Sequence, residues 1–591
     1  MKSFLKYTLA TIVGFVVSSL IVIFIIIGII SSAVSSSKQK DTEIKENSVL
    51  YVKLDKPIVD RASKNPFANF NFGSMETDLK IGLWDDILEN IEKAKTDDKI
   101  KGIFLDLSVI PAGIGTVEEI RNALLDFKES EKFIISYSEV YTQKAYYLAS
   151  VADEIYLNPE GMFDFRGLRA QITFLKGTLE KLDIEPQIIR HGKFKSAIEP
   201  LILDKMSEAN KEQTMKYVGS IWNHMLKKIS ESREIPVDKL NEYADNFQLV
   251  VSEDLVNKKF IDGLKYKDEI IDILKAKLDL KEDDKIQIVK LQKYTSVPKP
   301  KEHKGLAKDK IAIIFAQGGI QSGDGDEETI GSERISKAIR EARKDSTIKA
   351  IVFRVNSGGG SALASDVILR EIKLAKEVKP VIASMGDVAA SGGYYVLCAA
   401  DEVLASPNTI TGSIGVFGVI PNMQKLFNKK LGITFDGIKT NKFADFADIN
   451  RPLSPEENDL LYTMVEKTYD VFITHVSEGR ELEKEEVDRI GQGRVWSGAD
   501  ALELGLVDRF GGLKDAVAIA QEKAGLEKFR IVSLPEQEDP FEQIIKQLGG
   551  DVKASFIESE LGENYKYYKR IKEISEMSGI QALMVEEIDI Y

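Results

Sequence analysis

At 591 residues the chain exceeds what one hydrophobic core organises, so several domains are expected. Its formal charge of −14 argues against a nucleic-acid role, because binding phosphates needs a concentrated positive face. A single cysteine, Cys398, excludes an internal disulfide and a multi-cysteine metal site; lying in an apolar run, it reads as a buried, inert thiol.

The chain opens with 28 uncharged residues, Tyr7 to Val34, including "SSLIVIFIIIGII". As a helix this run would span about 42 Å, against about 30 Å for the hydrocarbon core of a bilayer. The apolar core of a cleaved signal peptide is only about 7–15 residues long, so the run reads as a retained anchor. Lys2 and Lys6 precede it, which places the N-terminus in the cytoplasm, although Lys38 and Lys40 on the far side weaken that signal. Residues 1–46 are therefore expected to be anchor and linker, with the remainder on the extracytoplasmic side.

Beyond the anchor the chain repeats itself. "AYYLASVADEIYLNP" (Ala145 to Pro159) aligns with "GYYVLCAADEVLASP" (Gly393 to Pro407) at an offset of 248 residues. The same offset pairs "IKGIFLDLS" (Ile100 to Ser108) with "IKAIVFRVN" (Ile348 to Asn356). We read a tandem duplication with halves at 47–292 and 309–540, joined by the polar, proline-bearing linker 293–308 and followed by an extension, 541–591.

Within the first half, "RHGKFKSAIEP" (Arg190 to Pro200) holds His191, Lys193 and Lys195. Either lysine would ordinarily be a solvated surface group. A lysine can serve as a base only where burial beside apolar groups lowers its pKa. The offset places Phe443 opposite Lys195, so the lysine is missing from the second half.

In the second half "KIAIIFA", "KAIVFRV" and "PVIASMG" read as buried strands, separated by the helical patterns "SERISKAIREARKD" and "SDVILREIKLAKEV". This alternation predicts βαβ units and a mainly parallel sheet. Two loops rich in small residues follow strands: "NSGGGSA" and "GDVAASGG". The first is neither a P-loop nor G-x-G-x-x-G; it is either an amide cradle for an anion or oxyanion, or a plain tight turn. In the second, Ser391 stands at a helix start. It reads either as a nucleophile beside the free N–H of Gly392 or as an N-cap in a close helix–sheet contact.

The duplication bears on that choice. Ser391 corresponds to Gln143, and "NSGGGS" to "SVIPAG", so only the second half keeps both features. A serine nucleophile needs a base, and the four histidines are poor candidates by position: His303 lies in the linker, His224 and His475 in helical patterns.

The combination of anchor, tandem halves, "FKSAIEP", "VNSGGGS", "GDVAASGGYY" and "TGSIGVFG" resembles the signal peptide peptidase A (SppA) family in its long, duplicated form. The resemblance implies an α/β architecture of tandem ClpP/crotonase-like domains (repeated ββα units) with one N-terminal transmembrane helix. It implies a serine endopeptidase that degrades cleaved signal peptides in the cytoplasmic membrane, with no cofactor or metal. Carried over by position, Ser391 is the nucleophile, Lys195 the general base, and the amides of Gly359 and Gly392 the oxyanion hole. "TGSIGVFG" would line the substrate groove, and Ser196 or another hydroxyl would orient the lysine. A ring-shaped homotetramer on the membrane is also implied. One departure is Gly358, where the family usually has proline. The rival readings are a crotonase-like acyl-CoA enzyme and a non-catalytic membrane scaffold.

Overall fold

The computed structural model describes residues 44–63, 80–298, 307–537 and 579–584, with scattered residues in 6–21, 70–77, 565–572 and 589–590. The expected anchor falls largely outside these residues, and among the described residues no helix is long and apolar enough to cross a membrane.

The first half supplies β1 (Ser48–Lys53), β2 (Ile100–Asp106), α1 (Ile114–Lys128), β3 (Phe133–Tyr141), α2 (Gln143–Ala149), β4 (Glu154–Phe163), β5 (Glu185–Arg190), α3 (Glu208–Arg233), β6 (Gly263–Leu264) and β7 (Gln287–Lys290). Six of these strands form a sheet in the order β6-β4-β3-β2-β1-β7, parallel throughout. The second half supplies β8 (Lys310–Gln317), β9 (Ile348–Ser357), β10 (Gly359–Ser361), α4 (Ala362–Lys376), β11 (Val381–Ala390), α5 (Gly392–Tyr395), β12 (Glu402–Ala405), β13 (Phe417–Asn422), α6 (Pro455–Arg480) and β14 (Arg530–Leu534). The central strands of its sheet run β11-β9-β8-β14, again parallel, with β12 beside β11; beyond β11 the short strands Ile410–Gly412 and Val495–Ser497 pair antiparallel. The central strands are apolar on both faces, as a sheet covered by helices requires.

The repeat is visible element by element. Helices α1 and α4 cover 114–128 and 362–376, and β3 and β11 start at 133 and 381, so the 248-residue offset holds in three dimensions. The two long helices also match, at an offset of 247 residues. Both α3 and α6 have 26 residues, both start from a capping serine (Ser207 and Ser454), and both end on a left-handed glutamate (Glu234 and Glu481).

The halves are bound together at buried polar contacts. Arg354 on β9 is fully buried, 2.8 Å from Asp60 and 2.6 Å from Glu119, both of the first half. Its guanidinium also donates to Ser384 Oγ and the Met385 carbonyl. The Asp387 carboxylate accepts from the amide and hydroxyl of Thr116, both at 2.7 Å, in the first turn of α1. A carboxylate is favoured there by the helix dipole.

A further sheet crosses the boundary. In the order β5-β13-β15-β10 it joins β5 of the first half to β13 and β10 of the second and to a strand from the C-terminal extension, β15 (Ile580–Leu583). β5 and β13 pair antiparallel from Glu185↔Asn422 to Arg190↔Phe417. This pairing carries the segment after β5, including Lys195, into the second half.

Candidate active site

Ser391 sits where β11 ends and α5 begins. Its backbone, φ 55° and ψ −115°, is a sparsely populated conformation for a residue with a side chain. The amide is held by the Gly412 carbonyl at 2.8 Å, which fixes this sharp turn. The small neighbours are demanded by space. A β-carbon on Gly393 would lie 2.4 Å from the Ser357 carbonyl, and one on Gly392 2.8 Å from Ser365 Oγ. The side chain of Ser391 does not cap the helix.

Lys195 arrives from β5 through Gly192 and the turn at 191–195. Phe194 N–H donates to the Gln492 carbonyl, and Gly493 (φ 78°) packs so closely that a β-carbon there would lie 2.6 Å from the Lys195 backbone. The lysine amine lies 2.7 Å from Ser391 Oγ and 3.1 Å from both the carbonyl and the hydroxyl oxygen of Ser413. Lys195 is 1% exposed and Ser391 0%. Among the described residues no carboxylate faces the amine, and burial holds its pKa well below that of an ordinary lysine.

The other expectations fare unevenly. Ser196 does not orient the amine: its hydroxyl accepts from Gln213 Nε2 at 2.9 Å. Another hydroxyl, that of Ser413 within "TGSIGVFG", takes that place. Gly359 and Gly392 do converge, since a β-carbon on Gly359 would lie 2.6 Å from the Gly392 amide nitrogen. The Gly359 amide, however, donates to Ser357 Oγ at 3.0 Å, so its N–H is engaged within the turn. The next glycine is differently placed. Met584 N–H donates to the Gly358 carbonyl, and alternation along the antiparallel ladder makes Gly360–Ala582 the next hydrogen-bonded pair. Gly360 therefore turns its amide towards the groove.

The remaining candidates lie apart. Lys193 stands over the Phe194 ring, His191 contacts Glu466 and stacks on Tyr469, His224 pairs with Glu118, and His475 with Asp366. His303 is outside the described residues. Burial pushes the Cys398 thiol up to about 12, consistent with an inert group. In the first half the position of Ser391 is filled by Gln143, whose amide oxygen accepts from the N–H groups of Arg166 and Gly167. Phe443, opposite Lys195 in the repeat, is 40% exposed.

The chain is similar to known proteins along most of its length. The profile of peptidase family S49 matches twice, at residues 126–281 and 373–527. Protease 4 of Haemophilus influenzae is 35% identical over 521 residues, covering 85% of this chain and 82% of that protein. Protease 4 of Salmonella typhi is 34% identical over 533 residues, covering 88% and 85%. The chloroplastic serine protease SPPA of Arabidopsis thaliana is 36% identical over 504 residues, covering 84% and 73%. With two S49 domains and this likeness along most of its length, the chain belongs to peptidase family S49 and is a serine protease of the duplicated SppA type.

Proposed function

We propose that the chain is a membrane-anchored endopeptidase that hydrolyses apolar peptides with a Ser391–Lys195 dyad. The observation that carries this reading is the 2.7 Å contact between a desolvated lysine amine and a serine hydroxyl held in a strained turn. A neutral amine has two N–H groups and one lone pair. Ser413 offers two acceptors, its carbonyl and its hydroxyl, which leaves the lone pair for the Ser391 O–H.

In the mechanism that follows, Lys195 takes the hydroxyl proton as Ser391 Oγ attacks the peptide carbonyl carbon. The tetrahedral oxyanion accepts from the amides of Gly392 and Gly360. The lysine ammonium then gives its proton to the departing amine, and the C–N bond breaks. A water, losing its proton to Lys195, hydrolyses the acyl ester and frees Ser391. A groove with apolar walls, in which a strand pairs between β10 and β13, suits extended apolar substrates, and signal peptides left after cleavage by a leader peptidase fit that class. Retention of the 7–34 segment as an anchor, a ClpP/crotonase-like relationship of the two halves, an extracytoplasmic catalytic part and a homotetramer complete the reading. S49 membership favours it over an acyl-CoA enzyme or an inert scaffold.

The test is labelling with a serine-reactive fluorophosphonate and mapping of the modified residue. The adduct is expected on Ser391, absent in Ser391→Ala and weak in Lys195→Ala; equal labelling of all three would sink the dyad.

A further inference from the structure

The turn that carries the base is seated on one loop of the second half, Gly491 to Trp496. Phe194, the residue before Lys195, makes three attachments there. Its N–H donates to the Gln492 carbonyl at 2.9 Å. Its carbonyl accepts from Gln213 Nε2 at 3.2 Å, while Gln213 Oε1 accepts from the Val495 N–H at 3.1 Å. The third attachment is made by the ring. The Arg494 guanidinium lies over the Phe194 ring and over the Trp496 ring, 4.5 Å from each centroid. Its Nη2 donates to Glu212 Oε1 on α3 at 2.9 Å.

Arg494 reaches the rest of the site through its backbone. Its carbonyl accepts from the Ser413 N–H at 2.6 Å. Ser413 supplies both acceptors of the Lys195 amine, and the carbonyl of the preceding residue, Gly412, holds the Ser391 amide. One residue therefore supports the base from beneath and anchors the segment that orients both partners. The chemistry of the contact calls for arginine. A planar guanidinium stacks on aromatic faces while its edge bonds a carboxylate, which an ammonium on a flexible stem does not do. The ion pair with Glu212, whose side chain is 54% exposed, contributes little by itself. The contacts to the rings are better sheltered, because Trp496 is buried. Among the described residues Arg494 Nε is buried with no hydrogen-bond acceptor. A buried donor left unpaired is unfavourable, so the stacked geometry is kept against a penalty.

We infer that Arg494 is a positioning residue for the dyad: by holding the Phe194 ring and the Ser413 amide, it sets the distance between the Lys195 amine and the Ser391 hydroxyl. The inference rests on Lys195 acting as base to Ser391. Lys195 follows Phe194 directly, so a shift of that ring carries the lysine backbone with it. Proton transfer requires the amine within hydrogen-bond reach of Ser391 Oγ, and a misplacement of about 1 Å can lower the rate about 10²-fold. Arg494 acts through Phe194 and Ser413, so its loss should fall on kcat and leave KM alone.

The experiment is steady-state cleavage of a fluorogenic peptide by the full chain in detergent, with a thermal melt of each variant. Arg494→Lys keeps the charge and loses the plane; it is expected to lower kcat roughly 10–100-fold with KM little changed. Phe194→Leu removes the ring and should do the same, whereas Phe194→Tyr returns a ring and should restore turnover. The double variant Arg494→Lys with Phe194→Leu should be no slower than the slower single, because the two changes break one contact. Lys195→Ala separates the two readings. Undiminished turnover in Lys195→Ala defeats the dyad and this inference with it. A slow Lys195→Ala beside an Arg494→Lys of full kcat overturns the positioning role and leaves the dyad standing. So does a change confined to melting temperature or to KM, or a double variant in which the two losses multiply. If Arg494→Lys does not fold, the Phe194 pair decides: equal turnover of Phe194→Leu and Phe194→Tyr overturns the role.

Discussion

Lys195 and Ser391 are 196 residues apart in the chain and 2.7 Å apart in the fold. Neither half could make this contact alone. It depends on β5 leaving the first half to pair with β13, on the turn at Gly192, and on Gly493 being small enough to let the lysine backbone pass. Duplication supplied two scaffolds; the site forms where a segment of one enters the other.

Removing the base should therefore be severe without unfolding the chain. Lys195→Ala is expected to lower kcat on a synthetic peptide by about 10²–10⁴-fold, the usual contribution of a positioned general base. Lys195→Arg should be no better, since guanidinium stays protonated and cannot accept the serine proton. Steady-state kinetics beside a thermal melt of each variant separates lost chemistry from lost structure.

The desolvated amine also sets a pH dependence. Activity requires neutral Lys195, so kcat/KM should fall as pH drops through the lysine's folded-state pKa, which lies well below 10.5. The stability effect has its own sign. Between that lowered value and 10.5 the unfolded chain binds the proton that the folded chain does not, so folding gains with rising pH across this window. The wild type should gain in thermal stability relative to Lys195→Met as pH climbs through the window, with no further change above it. A difference that does not vary with pH would show that Lys195 does not titrate low.

The sequence made the scaffold legible because a fixed offset survives in buried strands: Ile100 and Ile348 open equivalent strands, and Ala145 and Gly393 fall in equivalent helices. Ser391 and Lys195 were legible as oddities of one half each, and their roles came from family resemblance. Their contact was not legible, because it is made by β5–β13 pairing, and strand pairing across halves leaves no local pattern. Adjacency points to Ser196, but a residue next to lysine on a 3₁₀ turn points elsewhere, and the other hydroxyl that reaches the amine, Ser413, is 218 residues beyond Lys195. A run of glycines does not reveal which amide faces the groove.

Ser413 should behave as a positioning residue. Its hydroxyl is one of two acceptors that turn the amine lone pair to Ser391. Ser413→Ala removes a hydrogen bond of about 1.4 kcal/mol, so kcat should fall roughly 10-fold with KM little changed. The acidic limb of the pH–rate profile should also move, because the amine loses a polar neighbour. A fall in activity with an unmoved limb would assign Ser413 a purely structural part.

The buried Arg354 tests how far the site depends on the docking of the halves. Its guanidinium neutralises Asp60 and Glu119, and burial pushes the Glu119 carboxyl upward even with the arginine beside it. Arg354→Met would leave two carboxylates facing each other in an apolar interior, a loss of about 3–5 kcal/mol for breaking a buried ion pair. Because β9 continues from Arg354 to the glycines of β10, displacement there should reach the oxyanion donors. The variant should melt lower and lose activity together. Adding Asp60→Leu and Glu119→Met removes the stranded charges, and apolar replacement of a buried ionic cluster is often neutral or stabilising. The triple variant should therefore recover both melting temperature and turnover. Recovery of stability without turnover would mean that Arg354 serves the site by fixing the Ser384–Met385 segment of β11, which it also bonds, rather than by neutralising charge.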